Sequence, residues 1–189
     1  MRLLQVHVGR AAALRVGPRE VASAIRKNRV DGPVAVLDEH LDGDECADRR
    51  VHGGPRKAVY AYPSEHYPSW RADLGIAELG YGGFGENLTI EGLTEPHVRV
   101  GDRLSIGTAE FEVTQPRFPC FKLEAHLDRR TVGPRMLETG RTGFYLTVRR
   151  TGRLAAGDAV VLEAMGPEAP TIADVVARRR ARELEEASD

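Results

Sequence analysis

Cysteine is scarce: of 189 residues only Cys46 and Cys120 carry a thiol, and they lie far apart in sequence. No CxxC pair exists, so zinc ribbons and iron–sulfur clusters find no ligand set. Two thiols in a chain this long do not make a disulfide scaffold either. An excess of one charge is also missing. The 27 basic and 28 acidic residues leave a formal net charge of −1, so no overall field recommends nucleic acid or a membrane surface. No apolar run approaches the ~18 residues a bilayer span needs. The first residues, MRLLQVHVGRAAALRV, lack the sustained apolar stretch of a signal peptide. These absences lead to the expectation of a cytoplasmic protein.

Glycine and proline are plentiful, at 20 and 11 residues. Spread over many short segments, they favour a turn-rich β fold over a helical bundle. The length supports one domain with a core that buries roughly 70% of the unfolded surface. LLQVHVG alternates as a first strand, and AALRV is expected to pair with it as a hairpin. PREVASAIRKNR, residues 18–29, reads as a helical turn. GPVAVLDEHL and AVYAY read as strands, and PSEHYPSWRADLG as a helix stopped by Gly75. Tyr67, Trp70 and Leu74 fall at helical spacing and mark its core face. RLSIGTAEFEVTQ alternates through two strands joined at Ile106-Gly107-Thr108. VGPRMLETG is a short helix ended by Gly140, and FYLTVRR and AVVLEA are further strands. From Thr171, a candidate N-cap, one helix runs to the end, its arginines and glutamates forming a solvated face. In all, about seven to nine short strands are expected, as in a barrel or sandwich.

Three stretches invite a chemical reading. TQPRFPCFKL, residues 114–123, places Cys120 after two prolines that stop a sheet ladder and set a rigid loop. Arg117 and Lys122 bracket the thiol, and neighbouring positive charge favours a thiolate. GDECADRRVHGGPRK packs Asp44, Glu45 and Asp48 against Arg49, Arg50, Arg56 and Lys57 around His52-Gly53-Gly54. A solvated loop is its simplest reading, but paired glycines also let backbone N–H groups approach a ligand. GYGGFGENL holds four glycines in positions 80–85. It is neither a GxGxxG turn opening a helix nor a Walker loop. It is a surface loop, or one whose backbone passes close to something, with Glu86 and Asn87 as fixed polar groups.

Taken in order, GDECADRRVHGGPRKAVYAY, GGFGENL, VGDRLSIG…QPRFPCFKL and GRTGFYLTV resemble the MOSC family, named for the C-terminal domain of molybdenum cofactor sulfurase. The wording is most similar to the stand-alone bacterial members of the YiiM type and covers roughly residues 1–165. The resemblance implies a mainly β (α+β) fold, a MOSC-type β-barrel with a few short helices. The domain would span 1–165, with a short helical tail at 170–189. It implies a molybdenum pyranopterin cofactor (molybdopterin) whose metal is ligated by the cysteine of the PC motif, here Cys120. It also implies reduction of N-hydroxylated compounds such as hydroxylaminopurines and amidoximes.

On that resemblance, Arg117, Lys57, Arg50 and Arg141 are candidates for the cofactor phosphate, with Lys122 beside the thiol. His52 and Asn87 are candidates for pterin edges or a metal oxo group, and Gly53 and Gly85 for close backbone approach. His52 or Asp48 would protonate the departing nitrogen. Electrons would come from a separate electron-donor reductase, since no flavin, haem or cluster motif is present. The protein would be a monomer or homodimer. YiiM-type members usually continue into a three-helix domain, whereas roughly 20 residues follow Pro170 here, about five helical turns; partner docking or oligomeric state is therefore expected to differ. Cys46, outside the motif, reads as structural. A cofactor or sulfur carrier using Cys120 is the main alternative. A Cys–His hydrolase using Cys120 and His52 is weaker, because no orienting Asn or Asp can be assigned.

Overall fold

The structure is a computed structural model that describes residues 1–47 and 53–186. Its strands are β1 (Arg2–Val8), β2 (Ala12–Val16), β3 (Arg19–Ser23), β4 (Asn28–Val30), β5 (Val34–Val36), β6 (Val59–Pro63), β7 (Leu88–Glu91), β8 (Arg103–Ile106), β9 (Ala109–Pro116), β10 (Phe144–Arg150), β11 (Gly152–Leu154) and β12 (Val160–Glu163). The helices are α1 (Tyr67–Leu74), α2 (Phe121–Leu127), α3 (Val132–Thr139) and α4 (Ile172–Glu186).

Eight strands form one mixed sheet in the order β12-β8-β9-β10-β6-β7-β1-β4. All neighbours are antiparallel except β6 and β7. The strands β5–β11 and β2–β3 make two small ribbons. The sheet curls but does not close into the barrel expected from the sequence. Its two ends meet through three hydrogen bonds: Leu3 N–H donates to the Asp158 carbonyl at 2.9 Å, Val160 N–H to that of Met1 at 3.0 Å and Gly157 N–H to that of Leu3 at 2.7 Å. Further along, the same edge of β1 is taken by β4.

Alternation explains the strands that were legible. In AEFEV of β9, Ala109, Phe111 and Val113 are buried, while Glu110 and Glu112 point outward and pair with Arg150 and Arg149 of β10. With Leu3, Val6, Val59, Leu88, Ile90, Phe144 and Leu146 they form the main core. A second core is aromatic: Tyr62 stacks on Phe84 at 4.7 Å, and Tyr67 and Trp70 of α1 pack around them. Truncating one such ring to alanine typically costs about 3–5 kcal/mol.

Two local expectations are corrected. AALRV does not pair with β1; it pairs with β3, inside the segment read as a helical turn. The strand wins there because Leu14, Val16 and Val21 pack against the aromatic core. After Cys120 the chain does not continue as loop but starts α2 at Phe121. The tail helix is as expected, with Thr171 and Asp174 capping it reciprocally at 2.9 and 3.0 Å. Ile172 and Val176 are buried, so the helix is docked on the body. Among the described residues, no helix is long and apolar enough to cross a membrane.

Candidate functional site

Cys120 sits where β9 has ended and α2 begins, in extended backbone (φ −139°, ψ 164°) immediately before the first helical residue. Half-buried, it borders a cavity of about 370 Å³. The cavity collects pieces of six segments: the end of β3 and the stretch after it, the 39–47 loop, the 53–60 stretch, the glycine-rich loop before β7, the Cys120 turn and Tyr145 of β10. Arg117, Lys57, Lys122, Asn87, Gly53 and Gly85 all line it with Cys120. Three motifs that are remote in sequence therefore share one wall.

Arg117 is 5% exposed. Its guanidinium lies over the Tyr60 ring at 5.5 Å, and its Nη1 has no hydrogen-bond partner among the described residues. Burial works against its charge, but the oxygens of Tyr60 and Tyr145 and the Cys120 sulfur outweigh this and hold the group protonated. Burial pushes the Tyr60 and Tyr145 phenols up, so both stay neutral; Tyr60 donates to the Thr142 carbonyl at 2.8 Å, and Tyr145 accepts from Arg117. A fixed, buried cation on the lining of a cavity is suited to holding an anion that brings its own acceptors. Lys57 Nζ stands 6.0 Å from the centre of the Tyr145 ring, adding positive charge on the same side. Lys122 donates to the Ala22 carbonyl at 3.0 Å, which pins α2 to β3.

Two carboxylates of the lining are already engaged, Asp44 by a lysine and a backbone N–H and Glu45 by a backbone N–H. Asp44 Oδ1 accepts from Gly9 N–H at 2.7 Å and from Lys27 Nζ at 2.5 Å, while Glu45 accepts from Ala11 N–H at 2.8 Å. The cavity thus keeps a net cationic wall at Arg117. Asn87 departs from its expected part. Its amide is committed to Tyr60 N–H at 3.0 Å, the His7 carbonyl at 3.2 Å and Asp44 at 2.8 Å, so it positions the wall instead of reaching into the space. Glu86 is fully buried, accepting from Tyr67, Gly82 N–H, Phe84 N–H and Thr89, and it shapes the glycine-rich loop. Gly85 (φ +78°) is needed there: a Cβ would come within 2.8 Å of Ile25 Cγ1.

Arg141 does not line the cavity. It is ion-paired with Asp73 and lies 4.3 Å over the Trp70 ring, because the loop entering β10 delivers it to α1. Asp48, Arg50 and His52 lie outside the described residues. Cys46, read as structural, is instead exposed and lines the same cavity as Cys120. Tyr60, Tyr145, Lys27 and Cys46 were missed as site residues. AVYAY and FYLTV gave only a core signal, and Lys27 sat in the misread helical segment.

A phosphate-bearing organic cofactor with a soft metal fits this donor set. The unpartnered Arg117 nitrogen and the cationic wall suit the phosphate, and the Cys120 sulfur is the soft donor. Among the described residues no group of three or more His, Cys, Asp or Glu side chains is placed to hold a metal ion by itself.

A mainly β domain with a thiol and a buried arginine on one cavity defines the class. The MOSC domain pattern matches residues 48–161, and the chain belongs to that family. It is 39% identical over 159 residues to Protein YiiM of Escherichia coli, covering 81% of this chain and 68% of that one. A protein named Reductase from Gibberella moniliformis is 38% identical over 163 residues, covering 85% of this chain and 29% of that one. The crystal structure of YiiM from Geobacillus stearothermophilus superposes with a TM-score of 0.80 at 34% identity, covering 96% of this chain and 84% of that one. The chain is therefore a YiiM-type MOSC protein with a function related to the molybdenum cofactor.

Proposed function

We propose that the chain is a molybdenum-cofactor-dependent reductase of N-hydroxylated compounds, hydroxylaminopurines and amidoximes among them. The reading rests most on one observation. A buried arginine, one of whose nitrogens has no partner among the described residues, and Cys120 line the same cavity. The relative named Reductase, of whose length this chain matches 29%, supports the redox assignment. When bound, the cofactor would supply a metal centre able to accept an oxygen atom in a two-electron step.

The chain's residues would do the rest. Cys120 would be the protein's ligand to the metal. Arg117 and Lys57 would hold the phosphate, with Lys122 nearby, and Gly53 and Gly85 would let backbone pass close to the pterin. Asn87 would fix Asp44 and Lys27 at the wall. The net reaction takes R–NHOH, two electrons and two protons to R–NH2 and water. Asp48 or His52, just before Gly53 in sequence, is the proposed proton donor to nitrogen, and a separate redox protein the electron source.

The test is turnover of benzamidoxime and a hydroxylaminopurine by molybdenum-loaded protein with reduced methyl viologen. Product at wild-type loading and none with Cys120→Ala is the expected result. A second reading, a non-catalytic cofactor or sulfur carrier, draws on the second thiol, Cys46, at the same cavity. Full loading without turnover on either substrate would favour it.

A further inference from the structure

Cys120 belongs to two cavities. Besides the one already described, a groove of about 610 Å³ lies between α2, α3 and α4 and also ends at Cys120. Its walls are apolar: Pro119, Phe121, Pro134, Leu137 and Leu184. Phe121 and Leu184 are 54% and 60% exposed, unusual for side chains of this size. Glu124, Glu138 and Glu183 bring the acidic charge, Arg180 the basic. Glu138 is held by Arg135 at 2.8 Å and Glu183 by Arg179 at 2.8 Å, while Arg180 donates to the Glu138 carbonyl at 3.0 Å.

Glu124 is different. Among the described residues its carboxylate has no ion pair and no hydrogen bond, although it is only half-exposed. It follows Cys120 by four residues, in the first turn of α2, and both line the groove. Its Oε1 lies hard against the first turn of α3, where a Cβ on Gly133 would come within 2.7 Å. An unpaired carboxylate in an apolar groove asks for a planar group with two N–H donors on an apolar body.

We propose that this groove is a substrate subsite for amidine-type aromatic compounds, with Glu124 accepting from their N–H groups and Phe121 and Leu184 covering the ring. The groove and the cationic cavity share Cys120, so a compound held at Glu124 would lie close to the residue that would ligate the metal. It rests on the reductase reading for its link to catalysis, but binding itself does not require the metal.

The probe is benzamidine, measured by calorimetry or ligand-observed NMR, with melting temperatures recorded for each variant. Glu124→Gln should weaken binding at least tenfold, and Leu184→Arg, at an exposed position, should weaken it similarly without lowering the melting temperature. With benzamidoxime as substrate both should raise KM at nearly constant kcat. Equal benzamidine affinity in wild type and both variants would overturn the subsite, even if the protein reduces benzamidoxime. Glu124-dependent binding by a protein that neither holds molybdenum nor reduces benzamidoxime would keep the subsite and remove the reductase reading.

Discussion

Asn87 donates to Asp44 at 2.8 Å, and the other oxygen of that carboxylate accepts from Lys27 at 2.5 Å. The amide oxygen meanwhile receives the Tyr60 N–H. One side chain therefore joins β1, β6, the 39–47 loop and the segment before β4. Asn87→Ala would leave a buried N–H and the Asp44 carboxylate short of partners, at about 1–3 kcal/mol. Asn87→Asp would set two carboxylates against each other and cost more. Chemical denaturation of the two variants checks this order; equal stability to wild type in both would contradict it.

Glu86 supplies a sharper case, since four donors converge on one buried carboxylate. Glu86→Ala orphans the Gly82 and Phe84 N–H groups and the Tyr67 hydroxyl together. The expected loss is about 3 kcal/mol or more, measured by urea unfolding. Glu86→Gln should recover only part of it, because an amide presents one acceptor oxygen and adds donors facing donors.

The same loop sets the pH response. His7 and His126 pack beside it, both held below their ordinary value near 6.5, chiefly by burial. The native state then binds fewer protons than the unfolded chain in mildly acid solution. Stability from these groups is complete above about pH 6.5 and falls as pH drops from there toward their lowered pKa values. Unfolding free energy should be smaller at pH 5.5 than at pH 7.5, with a shallower difference in His126→Gln. No difference between the two pH values would contradict it.

Arg117 separates binding from folding. A buried cation replaced by a hydrophobic residue is often neutral or stabilising, and its Nη1 bonds to nothing described. Arg117→Leu should therefore melt within a few degrees of wild type yet lose pterin and molybdenum more than about tenfold. Retention of both would make Arg117 a structural residue.

How much of this the sequence carried depends on the period of each segment. AEFEV and RLSIG alternate because one face of their strands is solvated, so both were legible. Gly75 and Gly140 closed α1 and α3 where expected, each in left-handed backbone. The β2–β3 ribbon was not legible: its pairing is chosen by Leu14 and Val21 meeting the aromatic core, a tertiary effect. Arg117, Lys57 and Cys120 were found because motif order brought them together on paper. Arg141 misled because GRTGFYLTV carries it near the strand, while its guanidinium turns to Asp73 and Trp70. Cys46 was passed over because its neighbours form a charge-rich loop, and only folding lays that loop along the cavity.

The most direct test is molybdenum content and pterin fluorescence of protein expressed in a cofactor-competent host, for wild type and Cys120→Ala in parallel. The account predicts near-stoichiometric molybdenum in wild type and a loss of more than about 100-fold in the variant, with both equally folded. Equal molybdenum in the two, or none in wild type from a host whose other molybdoenzymes are loaded, would contradict it.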